Sequence, residues 1–331
     1  MLSFIRKLLA LAFLALLALA GYAAWYALSP VGVSAYPAEF RIPAGSALRA
    51  SARQMEASGI QLGSLQFEIL ARALGKSRDI KAGSYQLSEA TTPLQLLDKL
   101  TRGDVTQGEL TLIEGWTFRQ FRAAMQANAD LRGDSRGLSD AEILERIKAA
   151  EDHPEGLFFP DTYLFDKGAS DFDVLSRAYR SMQRQLSAEW TARDAKTPYR
   201  SPYEALIMAS IVEKETGAAV ERTMIASVLV NRLRIGMRLQ ADPTIIYGLG
   251  ASFDGNLRKR DLVEDGPYNT YTRAGLPPTP ISMPGIASIR AALHPAESQA
   301  IYYVSKGDGT SQFSRTLDEH NRAVGKYQLK R

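Results

Sequence analysis

The sequence of 331 residues predicts an α+β protein with an N-terminal membrane helix, small α+β modules and a mixed helical C-terminal domain. Three observations predict it: an uncharged apolar run opens the chain, short strands and capped helices follow, and one strongly apolar helix lies in the C-terminal half. The predicted parts are an N-terminus (1–7), a membrane helix (8–28), a first α+β module (38–104), a second module with a connecting aromatic loop (105–170) and a C-terminal domain (171–331).

The first segment, Leu8 to Leu28, contains no charged residue. As a helix it would span about 31 Å, close to the hydrocarbon thickness of a bilayer. Arg6 and Lys7 precede it and the next basic residue is Arg41, so the positive-inside rule predicts a cytoplasmic N-terminus and an exported remainder. The alternative is a cleaved signal peptide, because Ala18-Leu19-Ala20 has the form of a cleavage site. The apolar run continues past that site, which favours an uncleaved anchor.

Composition excludes several function classes. The chain has no cysteine, which excludes a disulfide framework, thiolate metal ligands and a cysteine nucleophile. Its net charge is +4 and no basic stripe with interleaved aromatic residues occurs, so no nucleic-acid partner is predicted. None of the three histidines, His153, His294 and His320, has a partner at metal-ligand spacing. We therefore predict neither a metal site nor a cofactor.

Residues 38–104 predict a compact unit of strands and capped helices, in which Ser46 caps the first helix. A similar order of strand, glycine, hydroxyl cap and helix recurs from Leu110, which predicts a second, related module. The aromatic stretch Glu155 to Asp166 either lines a groove or packs two domains together. After it, Asp171 is expected to cap a long amphipathic helix.

The central helix is predicted from Ser201 to Gly217. Ser201 is a good N-cap, Pro202 suits the first helical position and Glu204 completes a capping box, while Gly217 is a natural stop. Apolar residues point around most of its circumference, which predicts a buried helix; they are Leu206, Ile207, Met208, Ile211 and Val212.

Glu213 and Glu215 lie in the last turn of this helix, where burial and the negative end of the helix dipole both raise a carboxyl pKa. A raised pKa suits a general acid that works near neutral pH. The two side chains face opposite sides of the helix. Glu215 stacks over Ile211 and Val212, which favours it as the desolvated acid. The alternative is that both are surface acids at a frayed helix end.

Ser210 and Lys214 are four residues apart and could meet on one helix face, as in a Ser-Lys hydrolase. A small core serine and a solvated lysine is the simpler interpretation, and we favour it. Farther along, regular periodicity fades between about residues 237 and 285. A loop of that length in a compact domain is usually functional or disordered, and its tyrosines argue against disorder. Polar and tyrosine side chains of this loop are candidates for binding sugars: Gln240, Asp242, Tyr247, Asn269 and Tyr271.

Five sequence blocks in order resemble the endolytic murein transglycosylases, the YceG-like family. They are ASIVEKET (Ala209 to Thr216), NRLRIGMRLQADPTIIYGLG (Asn231 to Gly250), YNTYTRAGLPP (Tyr268 to Pro278), FPDTY (Phe159 to Tyr163) and EHN (Glu319 to Asn321). Together they span most of the predicted exported part.

This resemblance implies one membrane helix, a LysM-like region within 38–104 and a catalytic domain within 171–331. It implies an inner-membrane, single-pass protein with a periplasmic catalytic domain that cleaves nascent peptidoglycan strands and terminates their elongation. It also implies a peptidoglycan synthase as partner. The second glutamate of the family's Glu-Lys-Glu run is catalytic, which corresponds to Glu215, and Glu213 is expected to pair with a nearby cation in support.

The expected reaction breaks the MurNAc-GlcNAc bond and closes a 1,6-anhydro ring, with the substrate's own 6-hydroxyl as nucleophile. One acid then suffices, unlike the carboxylate pair of most glycosidases. Two alternatives stay open: a membrane-tethered peptidoglycan-binding adaptor without catalysis, and a muramidase-type hydrolase that uses water.

Overall fold

The computed structural model describes residues 2–43, 45–215 and 218–329 and has two compact units. The first contains Met1–Gly108 and Leu164–Ala169, and the second contains Glu109–Tyr163 and Ser170–Arg331. The predicted α+β class, with an apolar N-terminal helix and a helical C-terminal region, is confirmed. The predicted helix stop at Gly217 lies outside the described residues.

In the residues that the structure describes, the first unit has three short helices and two two-stranded sheets, and an apolar helix leads into it. Its elements are α1 (Leu2–Leu28), β1 (Gly32–Val33), β2 (Ala38–Ile42), α2 (Leu48–Ala57), β3 (Ile60–Gln61), α3 (Ser64–Ala73), β4 (Gly83–Leu87) and α4 (Pro93–Arg102). β2 pairs antiparallel with β4 in the register Ala38↔Leu87 to Ile42↔Gly83, and β1 pairs antiparallel with β3.

The core of the first unit follows from the alternation predicted for its strands. Phe40 and Ile42 of β2 and Tyr85 of β4 are buried, and the rings of Phe40 and Tyr85 stack with centroids 5.5 Å apart. Helix α4 buries Leu96, Leu97 and Leu100 against the same core and begins with a complete capping box at Thr92. Capping and alternation are local signals, so the sequence predicts these elements well. The LysM-like character of this unit stays a prediction.

Helix α1 is long and apolar enough to cross a membrane. An 18-residue window of Ser3–Leu28 has a mean hydropathy of 2.2, and none of it is buried in the protein. Helices that are apolar on all sides and unburied need an apolar solvent.

The second unit is mainly helical. Three of the described strands have residues in both units: β5 (Gln107–Thr111), β7 (Thr162–Asp166) and β8 (Ala169–Ser170). The other elements of the second unit are α5 (Phe118–Ala127), β6 (Leu131–Arg132), α6 (Asp140–Ile147), α7 (Asp171–Thr191), α8 (Pro202–Glu215), α9 (Arg222–Arg234), α10 (Asp242–Leu249), α11 (Lys259–Val263), α12 (Ile286–Leu293), β9 (Tyr302–Ser305), β10 (Ser311–Ser314) and α13 (Leu317–Tyr327). β5 pairs with β7, β6 with β8, and β9 with β10.

Helix α8 is the centre of the second unit. Every residue from 205 to 212 is buried, and α7, α9, α10 and α12 pack around it. Pro202 is its first residue, and Ser201 Oγ accepts a hydrogen bond from Glu204 N–H at 3.3 Å, as the capping signal predicts. The Glu204 carboxylate accepts from Arg200 N–H at 2.7 Å, one residue earlier than a standard capping box. The buried helix predicted from its apolar circumference is confirmed.

Two predicted caps are wrong. Helix α2 begins at Leu48 without a side-chain cap, so Ser46 does not cap it. Ser170, rather than Asp171, caps α7. The Asp171 carboxylate is buried and accepts hydrogen bonds from Ser135 N–H and Oγ–H, the latter at 2.5 Å. A long-range partner for an acid at a helix start is not visible in the local sequence.

The irregular region predicted between residues 237 and 285 contains two helices. Asp242 and Tyr247 lie on α10 rather than on a loop, and α11 follows. The eight-residue α10 buries only Thr244 and Ile245 and has Pro243 in its first turn. So short a buried stripe gives no extended helical period, which explains the wrong prediction.

Candidate active site

The last residue of α8 is an acid with a perturbed pKa. The Glu215 side chain is only partly exposed, and desolvation is the main cause that raises its pKa to about 7. The negative charge of Asp242 raises it further, whereas a hydrogen bond from Tyr303 and the positive charge of Arg232 lower it. A carboxyl group balanced in this way is close to half protonated at neutral pH, which suits both donation and acceptance of a proton.

Tyr303 on β9 is the direct partner of this acid. Its hydroxyl donates to Glu215 Oε2 at 2.9 Å. Burial and the adjacent Glu215 carboxylate raise the pKa of Tyr303 well above its usual value, so the phenol stays protonated and remains a donor. Strand β9 therefore supplies a fixed hydrogen bond that stabilises the carboxylate form of Glu215.

A second carboxylate–phenol pair stands beside the first. The Tyr271 hydroxyl donates to Asp242 Oδ1 at 2.5 Å. Asp242 is exposed at the start of α10 and Tyr271 is half-buried. The two pairs interact electrostatically: the charge of Asp242 adds to desolvation in raising the pKa of Glu215, and burial, the bond to Asp242 and the charge of Glu215 raise the pKa of Tyr271. The two pairs thus form one cluster of polar groups.

The backbone before α10 is held in place by the segment that carries Tyr271. Gln240 N–H donates to Thr270 O at 3.1 Å and Ala241 N–H donates to Thr270 Oγ1 at 3.0 Å. Gln240 itself is exposed and has a φ of 50°, in the left-handed region that few non-glycine residues adopt. Strained backbone of this kind persists where surrounding contacts impose it, and it concentrates at functional sites.

Asn269 orders the same segment. The residue is buried, and its Nδ2 donates to the carbonyl oxygens of Asp261 at 3.0 Å and Glu264 at 2.6 Å. Its Oδ1 accepts from Tyr271 N–H at 2.9 Å. Both ends of the amide are therefore used inside the protein, and they set the position of Tyr271. Direct contact of Asn269 with a sugar stays a prediction.

Arg232 on α9 connects the two sides of the cluster. It is buried, and its Nε donates to Ile301 O at 2.6 Å while one terminal nitrogen donates to Leu239 O at 2.7 Å. Ile301 precedes Tyr303 by two residues, and Leu239 directly precedes Gln240. One guanidinium thus fixes both the strand of the phenol and the entry to α10, and burial lowers its own pKa.

Tyr247, the remaining predicted sugar-binding residue, lies at the other end of α10 and belongs to a second cluster. Its hydroxyl donates to Glu155 Oε2 at 3.1 Å, and Phe118 N–H donates to Glu155 Oε1 at 3.0 Å. Glu155 is only 3% exposed, and burial raises its pKa to about 7. Of the stretch that begins at Glu155, that acid lines a groove, whereas Phe158 is buried and stacks on Phe118 and Phe121, so this aromatic residue packs in the core.

A groove with a volume of about 1090 Å³ runs past this second cluster. Pro243 and Lys214, the sequence neighbours of Asp242 and Glu215, lie in its lining. Its lining combines aromatic side chains, which are suited to packing on sugar faces, with polar ones. Its lining includes Thr117, Phe118, Arg119, Gln120, Glu155, Tyr247, Phe253 and Tyr268.

Glu213 faces away from the cluster, as the helix geometry predicts. Its Oε2 accepts from Gly285 N–H at 3.0 Å. Glu114 lies close by, and its pKa is raised by desolvation and by the charge of Glu213, while the charge of Arg222 lowers it. The expected ion pair of Glu213 with a nearby cation stays a prediction. The contact of the Glu213 carboxylate with Gly285 N–H connects α8 to the start of α12.

The Ser-Lys interpretation does not fit the structure. Ser210 Oγ donates to Ile207 O at 2.7 Å and accepts from Ile281 N–H at 3.0 Å, in the core. Lys214 Nζ donates instead to Gly115 O at 3.2 Å. The two groups have separate partners, so the lysine is not placed to activate the hydroxyl.

Sequence reasoning missed Tyr303, Arg232 and Glu155. Tyr303 lies 88 residues after Glu215, and no local pattern connects the two. A buried arginine in an apolar helix face and an acid that opens an aromatic stretch are visible signals for the other two. A charge among apolar residues is costly to bury without partners, so each marks a position with specific contacts.

Three comparisons place the chain among known proteins. The sequence profile described as the YceG-like family matches residues 40–326. The protein named endolytic murein transglycosylase of Bacillus subtilis (strain 168) is 32% identical over 303 residues, which cover 86% of this chain and 83% of that protein. The protein of the same name from Streptococcus pneumoniae serotype 2 is 27% identical and covers 96% of this chain, which spans 64% of it.

One solved structure agrees with these matches. A crystal structure of a yceG-like protein from Listeria monocytogenes aligns with a TM-score of 0.54 at 30% identity, covering 86% of this chain and 97% of that one. The family predicted from the five sequence blocks is confirmed.

Proposed function

The chain belongs to the YceG-like family, and from this premise we propose that it is an endolytic lytic transglycosylase of peptidoglycan whose acid is Glu215. The observation that carries the proposal is the Glu215 carboxyl, with a pKa of about 7, held by the Tyr303 phenol beside the Asp242–Tyr271 pair. One desolvated acid with an adjustable charge is the machinery that an intramolecular glycosyl transfer needs.

In the proposed reaction Glu215 begins protonated. It donates its proton to the glycosidic oxygen between MurNAc and GlcNAc as the bond from that oxygen to C1 of MurNAc breaks. The Glu215 carboxylate that results is stabilised by the Tyr303 hydroxyl. The same carboxylate then accepts the proton of the MurNAc 6-hydroxyl as its oxygen bonds to C1, which closes the 1,6-anhydro ring. No water is consumed, and Glu215 ends as it began.

Asp242 and Tyr271 are proposed to hold the sugar whose bond is cleaved, with Gln240 beside them. Asp242 also keeps Glu215 protonated before the reaction, because its negative charge disfavours a second carboxylate nearby. The neighbouring groove, with Tyr247 and Tyr268 on its wall, is proposed to carry further sugars of the strand. Lys214 of α8 and Pro243 of α10 lie in its lining, so the helices that carry Glu215 and Asp242 also border the groove, which supports this path.

Helix α1 is proposed to anchor the enzyme in the inner membrane, with Arg6 and Lys7 on the cytoplasmic side and the catalytic domain in the periplasm. An anchored enzyme would meet nascent strands near the membrane where a peptidoglycan synthase makes them. Cleavage there would end elongation of the strand.

Product mass tests the reaction. Full-length protein in detergent or membranes would be incubated with uncrosslinked peptidoglycan strands, and the fragments would be analysed by mass spectrometry beside the Glu215→Gln variant. We expect internal fragments that end in 1,6-anhydro-MurNAc, lighter by one water than hydrolysis products, and we expect none with the variant.

Two results would contradict the proposal. Reducing-end products would identify a muramidase-type hydrolase. Strand binding without cleavage by either form would identify an adaptor. The Glu213→Gln variant is a matched control, since it removes an acid of the same helical turn that faces away from the cluster.

A further inference from the structure

Helix α3 of the first unit has an apolar face that nothing in the described residues covers. Leu65 is 55% exposed and Ile69 is 59% exposed. They lie one helical turn apart, on the side opposite to the buried Phe67. Arg72 continues the same side one turn farther on, and Lys76 follows the end of the helix; each also pairs with a carboxylate, Arg72 with Glu68 and Lys76 with Asp98.

Two contacts tie the start of α3 to the end of α1. The Tyr26 hydroxyl, in the last turn of α1, donates to Leu62 O at 2.7 Å, three residues before Leu65. Strand β1, four residues after α1, pairs antiparallel with β3, whose last residue directly precedes Leu62. The apolar face of α3 therefore begins where α1 ends, and its height relative to α1 is fixed.

The end of α1 carries the residues that mark a membrane interface. Tyr22 is 51% exposed and Trp25 is 64% exposed, and their rings lie 5.9 Å apart. Exposed Tyr and Trp at the end of an apolar span settle at the headgroup level of a bilayer. Tyr26 directly follows Trp25, so its contact with Leu62 holds the start of α3 at about that level.

We propose that α3 lies on the membrane surface, with Leu65 and Ile69 in the boundary between headgroups and acyl chains and Arg72 and Lys76 toward the headgroups. An amphipathic helix held in the plane of the interface by its apolar face has this pattern. The first unit would then contact the outer face of the bilayer through α3, in addition to its attachment through the spanning helix α1. The inference assumes that α1 spans the membrane and is independent of the catalytic proposal.

The absence of cysteine from the chain allows a direct test with single labels. The full-length protein would be reconstituted in vesicles with a nitroxide at Leu65→Cys or Ile69→Cys, and the accessibility of each label to oxygen and to a water-soluble nickel complex would be measured. Leu17→Cys, in the middle of α1, gives the lipid reference. Arg102→Cys, at the end of α4, gives the water reference, because the Arg102 side chain is 76% exposed and charged.

We expect the ratio of oxygen to nickel accessibility at positions 65 and 69 to exceed that at 102 several-fold and to approach that at 17. Ratios equal to that at 102 would mean that the face is in water and would overturn the proposal. Low accessibility to both reagents would mean that protein, such as a second copy, covers the face, which also overturns it.

Changes of lipid composition and charge substitutions distinguish apolar insertion of α3 from a purely electrostatic contact. Protection should persist in phosphatidylcholine vesicles; protection only with phosphatidylglycerol present would mean a purely electrostatic contact through Arg72 and Lys76 and would contradict the apolar insertion. Ile69→Glu should reduce the ratio at 65, whereas Gln66→Glu, exposed on the flank of the same helix, should not. Circular dichroism of each variant verifies that the unit stays folded.

Discussion

Glu215 and Glu155 are two acids of the second unit with the same perturbation and different surroundings. Burial raises the pKa of each to about 7, and each accepts a hydrogen bond from a tyrosine hydroxyl. Glu155 also binds Phe118 N–H with its other oxygen and is only 3% exposed. Glu215 is partly exposed, at the end of its helix.

A raised pKa therefore identifies a buried acid but does not assign it a reaction. Glu155 has both oxygens engaged and ties α5 to α10, which suits a group that holds the groove in shape. Glu215 combines the same pKa with access and with a neighbouring Asp242 whose charge acts on it. Perturbed groups occur in structural networks as well as in active sites, and geometry separates the two cases.

Replacement of each acid by its amide should separate their roles most clearly. We expect Glu215→Gln to lower the turnover of strand cleavage by about 10²- to 10⁴-fold, the usual contribution of a general acid. Glu155→Gln should lower it by no more than about tenfold, because an amide can still accept from Phe118 N–H and donate to the Tyr247 oxygen. Release of anhydro-ended fragments over time measures both. Equal losses in the two variants would remove the distinction drawn here.

The free energy of unfolding of the wild type, relative to that of the Glu215→Gln variant, should fall as the pH rises. Because the folded-state pKa of Glu215 is about 7, above the ordinary value of 4.5, the folded state binds the proton more tightly than the unfolded state. The wild type therefore loses stability as pH rises from 4.5 to 7, and the loss is complete above 7. A shift of this size corresponds to at most about 3.4 kcal/mol, and we expect about 1–2 kcal/mol after allowance for partial exposure to solvent.

Urea unfolding at pH 5 and pH 8 measures this effect. The free energy of unfolding of Glu215→Gln relative to wild type should be higher at pH 8 than at pH 5. A relative free energy that does not change with pH would mean that the carboxyl is solvated in the folded state.

Local sequence signals predicted the helix that carries Glu215, but not the other elements that surround this acid. Ser201, Pro202 and the apolar circumference predicted α8 and its burial, because capping and periodicity are local. The sequence did not predict helix α10, which begins at Asp242, because a short helix with a small buried stripe has no extended hydrophobic period. The role of Tyr303 was not predicted for another reason. Its contact with Glu215 depends on how β9 packs near the end of α8, and these residues are far apart in the chain.

The two polar neighbours of Glu215 should move the pH dependence of cleavage in opposite directions. With Glu215 as the acid, the rate falls as pH rises through about 7. Asp242→Asn removes a negative charge that raises the pKa of Glu215, so the fall should begin at lower pH. Tyr303→Phe removes a hydrogen bond that lowers the pKa, so the fall should begin at higher pH. Initial rates between pH 5 and 9 measure both shifts, and a shift of both variants in one direction would exclude Glu215 as the titrating group.

The smallest effect is expected at the contact between Tyr247 and Glu155. Tyr247→Phe removes a hydroxyl that donates to Glu155 Oε2 at 3.1 Å, while Phe118 N–H still binds the other oxygen. A single hydrogen bond to a charged group contributes about 1.5–3 kcal/mol. We expect a loss of about 1.5 kcal/mol in the free energy of unfolding, measured in urea at pH 8, where Glu155 is mostly ionised, and a smaller loss at pH 5, where it is mostly neutral. The pH at which cleavage falls should stay where it is in the wild type. If Tyr247→Phe moved that pH as Tyr303→Phe does, the titrating acid would be Glu155, and the assignment of the two acids would be reversed.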